Sequence, residues 1–312
     1  MKKAVVFGGA GFLGSHVADA LTDAGHHVRI FDKRPSPYLR EDQEMVAGEL
    51  TDLDAVCKAA RGCSTVYNFA AIADIDEARN KPVDTVRFNV LGNTNALEAA
   101  RLAKAERFVL ASSVYVYSEF GSFYRASKQA CEKFTETYHD EFGLDYTILR
   151  YGSLYGRRAD MRNGIYRMLQ SALAEGVIRY HGVGDELREY IHVDDAARLS
   201  VEILKPEYAN MPIILTGHHP MRVRDVVEMV CEMMGGKVRM EFANKPVSGH
   251  YNITPYAFHP RVGKKLVGRL YTDMGQGILD CLAEMKGSMQ AKTRATATAK
   301  PAASAKPKSR RS

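Results

Sequence analysis

Ser113, Tyr124 and Lys128 are residues whose types and spacing suit chemistry on an alcohol. They stand in Ser112-Ser113-Val114-Tyr115-Val116-Tyr117 and in Tyr124-Arg125-Ala126-Ser127-Lys128. On a helix, Tyr124 and Lys128 share a face about one turn apart. An ammonium beside a phenol favours the phenolate and lowers the tyrosine pKa from its usual ~10. A nearby serine hydroxyl can hydrogen-bond the same substrate oxygen. The trio suits removal of a proton from an alcohol while a hydride leaves the same carbon.

A hydride needs an acceptor, and the first residues offer a site for one. Lys3-Ala4-Val5-Val6-Phe7 is an apolar run that leads into Gly8, Gly11 and Gly14, with Phe12 and Leu13 between the last two. A helical pattern follows from Ser15. Glycines there permit a tight turn and let backbone approach a pyrophosphate resting on the helix N-terminus. The spacing is G-x-x-G-x-x-G, and its context of strand, turn and helix is the confirming one. A second strand, Val28-Arg29-Ile30-Phe31, ends at Asp32. An acid there accepts hydrogen bonds from ribose hydroxyls and repels a 2′-phosphate, so NAD is expected over NADP. Lys33 and Arg34 read as a solvated turn before Pro35.

These groups need a scaffold. Short apolar strands near 3–8, 27–32, 44–47, 64–69, 107–112 and 144–149 alternate with helical stretches, the longer ones near 83–103 and 124–142. That alternation predicts an α/β fold with a doubly wound, parallel sheet. Ser113 falls at a strand's carboxyl end, where ligands bind in such sheets. Residues 1–156 and 190–216 are expected to form the dinucleotide-binding domain, because Pro212-Ile213-Ile214-Leu215-Thr216 reads as a returning strand. Residues 157–189 and 217–286 are expected to form a smaller C-terminal substrate lobe. Residues 287–312 are mostly Ala, Thr, Lys, Ser and Pro without apolar periodicity, and are expected to be disordered.

Composition narrows the function classes. At 312 residues, with 46% hydrophobic and 26% charged residues, the chain fits a globular α/β protein. No apolar run approaches the ~18 residues that span a bilayer. The N-terminus enters a strand at once and does not read as a secretory signal. Five scattered cysteines without C-x-x-C point to reduced thiols, a cytoplasmic location and no zinc site. The net charge of +6 is concentrated at one end: eight basic residues and no acids lie from Lys286 onward, and without them 35 basic face 37 acidic residues. The folded part carries no footprint for nucleic acid.

In combination, these residues resemble the extended short-chain dehydrogenase/reductase family, in its nucleotide-sugar epimerase and dehydratase branch. The likeness spans roughly residues 3 to 285. Gly8, Gly11 and Gly14 match the family's cofactor loop, and Asp52-Leu53 the pair that meets adenine. Phe69-Ala70-Ala71 matches the apolar strand end beneath the cofactor, and Asn89-Val90-Leu91-Gly92 a helix start behind it. Ser113, Tyr124 and Lys128 match the catalytic trio. Leu149-Arg150-Tyr151-Gly152-Ser153-Leu154-Tyr155-Gly156 resembles the strand turning toward the substrate lobe. Arg188-Glu189-Tyr190-Ile191-His192-Val193-Asp194-Asp195 is close to the late motif whose Arg meets the diphosphate, an anion that needs a fork of donors. Arg261 is a second candidate for that diphosphate. His192, Asp194 and Asp195 read as structural, with an Asp capping a helix near Ala196. His181, His218, His219 and His250 have no assignable partner.

The resemblance implies an NAD-dependent enzyme acting at C4 of a nucleoside-diphosphate sugar, in a homodimer. A 4-epimerase is the first expectation. A net 4-dehydrogenase or 4-keto reductase stays open, as does a dinucleotide-binding sensor without turnover. Departures from the pattern matter. Asn68 replaces a usual His, and Gly152-Ser153 replaces a frequent Phe-Asn whose Asn contacts substrate, leaving Ser153 there. Dehydratases and decarboxylases of the branch carry an acid soon after the catalytic hydroxyl residue. Here Val114 and Tyr115 follow Ser113, which argues against both reactions. The loop Ser118–Phe123 is short, so the sugar site is expected to be roomier or covered by another segment.

Overall fold

The computed structural model describes residues 2–243, 245, 249–255, 264–266, 268 and 270–298. The chain opens with β1 (Lys3–Phe7), α1 (Phe12–Asp23), β2 (His27–Asp32), β3 (Gln43–Ala47), α2 (Leu53–Ala60) and β4 (Thr65–Asn68). Next come α3 (Ile75–Asn80), α4 (Pro82–Thr85), a π-helical turn (Val86–Leu91) and α5 (Gly92–Leu102). β5 (Arg107–Ser113) runs through a 3₁₀ turn (Val114–Tyr117) into α6 (Ser122–Phe142), β6 (Tyr146–Tyr151) and β7 (Ser153–Tyr155). Then follow α7 (Gly164–Glu175), β8 (Val177–Tyr180), β9 (Leu187–His192), α8 (Val193–Glu202), β10 (Met211–Leu215) and β11 (Pro220–Arg222). The last elements are α9 (Val223–Met233), β12 (Arg239–Phe242), β13 (Lys264–Lys265) and α10 (Met274–Thr298).

Eight strands form one parallel sheet in the order β13-β10-β6-β5-β4-β1-β2-β3. Val5, Val6 and Phe7 are wholly buried, as a strand covered on both faces requires. One face packs against α1 and α8 through Val17, Leu21, Ala196 and Leu199. The other packs against α2, α5 and α6 through Val56, Leu97 and Cys131. The strand order reverses between β1 and β4, which opens the crevice where such sheets bind ligands. A third core, with Leu169, Ile178, Val227 and Ile278, holds α7, β8, α9 and α10 together as the lobe beyond the sheet.

Four details differ from the sequence expectations. Residues 83–103 are not one α-helix, because the π turn intervenes and swings Asn89 inward. β9 leaves the main sheet to pair with β7 and β11, while Lys264 and Lys265 join it as an eighth strand. The cap of α8 is His192, whose Nδ1 accepts from Asp194 N–H at 3.3 Å, rather than an aspartate. Residues 287–298 are helical rather than disordered, extending α10 to Thr298. Ala, Met, Gln and Lys are good helix formers, and no proline intervenes before Pro301.

Candidate active site

The glycine loop is shaped by close approach. Gly8 has φ +79°, and a Cβ there would lie 2.6 Å from Ala70 N. Ala70, at the end of β4, is thus pressed against the loop. Gly14 packs α1 onto the same turn, where a Cβ would sit 2.3 Å from Gly8 O. Gly11 precedes α1 in extended conformation and no side chain caps the helix. The first-turn N–H groups of Phe12, Leu13 and Gly14 have no acceptor within their own helix, an arrangement that suits an anion. Asp32 ends β2 beside this loop, accepting from Ala10 N–H at 3.2 Å and Arg34 N–H at 3.3 Å. Lys33 is exposed and lies over the Phe88 ring, in keeping with a solvated turn. Asp52 caps α2 through Ala55 N–H at 3.1 Å, next to an exposed Leu53. An uncapped helix end, a carboxylate at the second strand and an exposed apolar side chain fit the pyrophosphate, ribose and adenine of NAD.

Behind this cradle, Asn68 donates to Asn93 Oδ1 at 2.9 Å and accepts from Ala70 N–H at 3.2 Å. It ties β4 to α5. Asn89 accepts from Ile72 N–H at 2.7 Å and donates to Ser127 Oγ at 2.9 Å. Its side chain therefore joins the loop after β4 to α6, one residue before Lys128.

The trio converges where β5 meets α6. Ser113, Tyr124 and Lys128 are all buried. Ser113 lies close enough to the Tyr124 hydroxyl to draw its pKa down, and Lys128 Nζ stands 5.8 Å from the Tyr124 ring centre. The expected lowering of the tyrosine pKa is not met in the chain alone. Burial pushes the Tyr124 phenol up to about 12, against the pull of Ser113. Lys128 Nζ instead donates to Ala111 O at 2.7 Å, and burial lowers its own pKa. One turn further, Glu132 makes a buried bidentate pair with Arg150 of β6, at 3.0 and 2.6 Å, and accepts from Ser112 Oγ at 2.6 Å. This network clamps α6 to the strands that carry Ser113.

The sugar side holds residues that sequence patterns missed. Residues 249–254 cross the short loop after β5. Gly121 N–H donates to Gly249 O at 3.1 Å, and Tyr115 Oη meets His250 Nδ1 at 2.7 Å. The Tyr251 ring lies tilted against that of Tyr115 with centres 4.7 Å apart, and Ser153 lies close enough to its hydroxyl to draw its pKa down against burial. Arg188 lies over the Tyr251 ring at 4.4 Å and donates to Leu187 O at 3.0 Å. Among the described residues no carboxylate pairs with Arg188. Ser153 and Arg188 thus meet through Tyr251, while Arg261 lies outside the described residues. Of the two expectations for the short loop, more room or cover by another segment, the structure shows the cover, and His250 gains the partner its sequence did not reveal. Long-range aromatic contacts leave no local periodicity; only the shortness of the Ser118–Phe123 loop hinted at them.

The model of the NAD-dependent epimerase/dehydratase family matches residues 4–212. The chain is 25% identical over 268 residues to a UDP-glucuronate 4-epimerase of Thermodesulfobacterium geofontis, covering 77% of this chain and 83% of that protein. It is 29% identical over 244 residues to a UDP-N-acetyl-alpha-D-glucosaminuronate decarboxylase of Bacillus cytotoxicus, covering 69% and 75%. A solved UDP-glucose 4-epimerase of Thermotoga maritima, with UDP-glucose, matches at TM-score 0.80 and 21% identity, over 92% of this chain and 99% of that one. That last likeness is one of fold.

Proposed function

The chain belongs to the NAD-dependent epimerase/dehydratase family and is an NAD-dependent enzyme, and we propose that it acts at C4 of a nucleoside-diphosphate sugar as a 4-epimerase. The observation that carries this is the convergence of buried Ser113, Tyr124 and Lys128, joined to Arg188 through the rings of Tyr115 and Tyr251. The relatives named as 4-epimerases support it.

When bound, NAD supplies a hydride acceptor and a positively charged ring. The N-terminus of α1 and Gly8–Gly14 would hold its pyrophosphate, Asp32 its ribose, Asp52 and Leu53 its adenine, and Lys128 the nicotinamide ribose. Tyr124 takes the proton from the C4 hydroxyl, and Ser113 hydrogen-bonds the same oxygen. Lys128, together with the positive charge that bound NAD would add, would offset the burial that otherwise keeps the phenol protonated. Arg188 grips the diphosphate and Ser153 the sugar. In an epimerase the keto sugar turns and regains its hydride on the other face. In a net dehydrogenase or reductase it leaves. No carboxylate follows Ser113 to serve elimination: Val114 and Tyr115 stand there, and the next acid along the chain, Glu119, is exposed.

We assign residues 1–156 and 190–216 to cofactor binding and residues 157–189 and 217–286 to substrate binding. A homodimer is part of the proposal. It is supported by Val83, Val86, Phe123 and Phe134, large apolar side chains exposed on α4, the π turn and α6. Five unpaired thiols support a cytoplasmic location. No helix among the described residues is long and apolar enough to cross a membrane.

The test is release of bound ligands by denaturation with mass identification, then incubation with UDP-glucose and UDP-glucuronic acid. Unchanged mass in a new sugar marks epimerisation, and loss of one dihydrogen marks oxidation. Loss of water or carbon dioxide overturns the proposal.

A further inference from the structure

We propose that His16, as an imidazolium, is a positioning residue: it ties the two strands that carry Ser153 and Arg188 to the helix assigned to the cofactor, and so sets the distance between sugar and nicotinamide. This rests on the C4 assignment above.

The contacts are those of a doubly protonated ring. His16 lies on α1, one turn after Phe12, with its side chain 5% exposed. Its Nδ1 stands 2.7 Å from Asp194 Oδ1, and its Nε2 3.1 Å from Arg157 O. A neutral imidazole has one donor and one acceptor nitrogen. Either tautomer would therefore turn a lone pair toward an oxygen that only accepts. Asp194 does not hold the missing proton, because its Oδ2 is engaged by Arg157 Nη2 at 3.3 Å. Burial works to raise the Asp194 pKa, but the pair with His16, with Arg157 beside it, brings it well below the usual carboxylate range. His192, at the end of β9, is the other imidazole at this carboxylate. Burial lowers its pKa against the pull of Asp194 and Asp195, and its Nδ1 accepts from Asp194 N–H at 3.3 Å. The positive ring is that of His16.

The two partners of His16 close the strands that face the sugar. β7 ends at Tyr155, two residues before Arg157, and β9 ends at His192, two residues before Asp194. The strands pair in parallel, with Ser153 opposite Tyr190 and Tyr155 opposite His192. β7 presents Ser153 and β9 presents Arg188. Both lie outside the eight-stranded sheet, so its ladder does not fix their far ends. One side chain on α1 grips both ends instead. The ion pair is not needed to hold α1 against α8, because Val17, Leu21, Ala196 and Leu199 already pack there. Apolar contact is non-directional, whereas the two bonds of His16 fix a register.

Each ligand would keep its own contacts without His16. The glycine loop and α1 would still meet NAD, and Ser153 and Arg188 would still move together as one paired unit. What is lost is the placement of C4 against the nicotinamide. A misplacement of about 1 Å between reacting groups costs on the order of 10²-fold in rate.

The experiment is single turnover of UDP-glucose, of UDP-glucuronic acid and of any nucleotide sugar released from the purified enzyme, beside separate titrations of NAD and of the nucleotide sugar. The variants are His16→Phe, which keeps a ring of similar size, and Asp194→Asn, which leaves His16 in place and removes its counter-charge. Single-turnover rates should fall about tenfold or more in both, while both affinities stay within about threefold of the parent. In ¹⁵N-labelled parent protein at pH 7, both His16 ring nitrogens should carry protons. A rate within threefold of the parent in Asp194→Asn overturns the role, and does so even where His16→Phe fails to fold. Affinities that fall in step with the rate reduce His16 to a structural contact, and a neutral His16 ring at pH 7 removes the imidazolium. If the parent turns over none of these sugars at C4, the C4 assignment fails and the positioning role falls with it.

Discussion

On the proposed cofactor side, the groups offered to a ligand are mostly backbone. The glycine loop, the first turn of α1 and the end of β4 lie within seventy residues, and Asp32 is held there by two amides. On the sugar side, the groups are side chains from four separate stretches: Tyr115, Ser153, Arg188 and His250–Tyr251. A backbone cradle tolerates little change in shape, because Gly8 and Gly14 leave no space for a Cβ. An aromatic wall can be rebuilt by substitution while the sheet stays intact. On the proposed assignment, the fold would fix the cofactor and leave the sugar to the crossing segment.

Tyr124 stands at the seam between the two sides, and its loss should have the largest effect. Tyr124→Phe keeps the ring and removes the acid–base hydroxyl. Turnover should drop by ~10²–10⁴, with NAD affinity nearly retained because the glycine loop is untouched. Activity within about threefold of the parent would sink the assignment, since acid–base groups contribute far more than that.

Beneath the seam, Arg150→Met should cost stability rather than a single chemical step. It strands Glu132, buried and still accepting from Ser112. Breaking a buried pair from one side costs about 3–5 kcal/mol, to be read as a lower urea midpoint with cofactor bound and absent. A change below about 1 kcal/mol, the scale of exposed pairs, would show that Glu132 finds water and that the clamp on α6 is not needed.

Asp32→Ala probes the cofactor side alone. It removes a negative charge from the ribose position, so the preference for NAD over NADP should narrow by about tenfold, equivalent to ~1.4 kcal/mol of charge repulsion near a protein surface. Paired titrations of the two dinucleotides measure it. An unchanged ratio would mean that Asp32 serves only the amides of Ala10 and Arg34.

The same division governs what the sequence disclosed. β1, β2, β4, β5 and β6 were legible because strands covered on both faces need continuous apolar runs. The trio was legible because a helical turn puts Tyr124 and Lys128 on one face. β13 was not, since Lys264 and Lys265 carry no apolar signal and pair through backbone alone. The π turn was not, because an extra residue in a helix changes no composition. His250 was missed because its partner, Tyr115, lies 135 residues away. The tyrosine pKa was misjudged for a related reason: local spacing shows the neighbouring ammonium but not the burial that outweighs it.

The smallest effect is expected far from the cleft. Truncation after Met285 removes the exposed Lys286–Gln290 and the rest of the chain, while keeping Leu282 and Met285, which pack in the lobe core. The deleted part of α10 is good helix-forming sequence, but an isolated helix of that length is marginal in water without packing. Little stability therefore resides in it, and the urea midpoint should move by less than about 1 kcal/mol equivalent. Helical circular dichroism should fall, turnover should hold, and the isoelectric point should drop sharply as eight basic residues leave. Loss of folded protein would show that the segment after Met285 packs on the lobe and that the substrate side extends further along the chain. Retained folding with lost turnover would place the basic segment at the sugar side, where a cationic stretch favours a diphosphate.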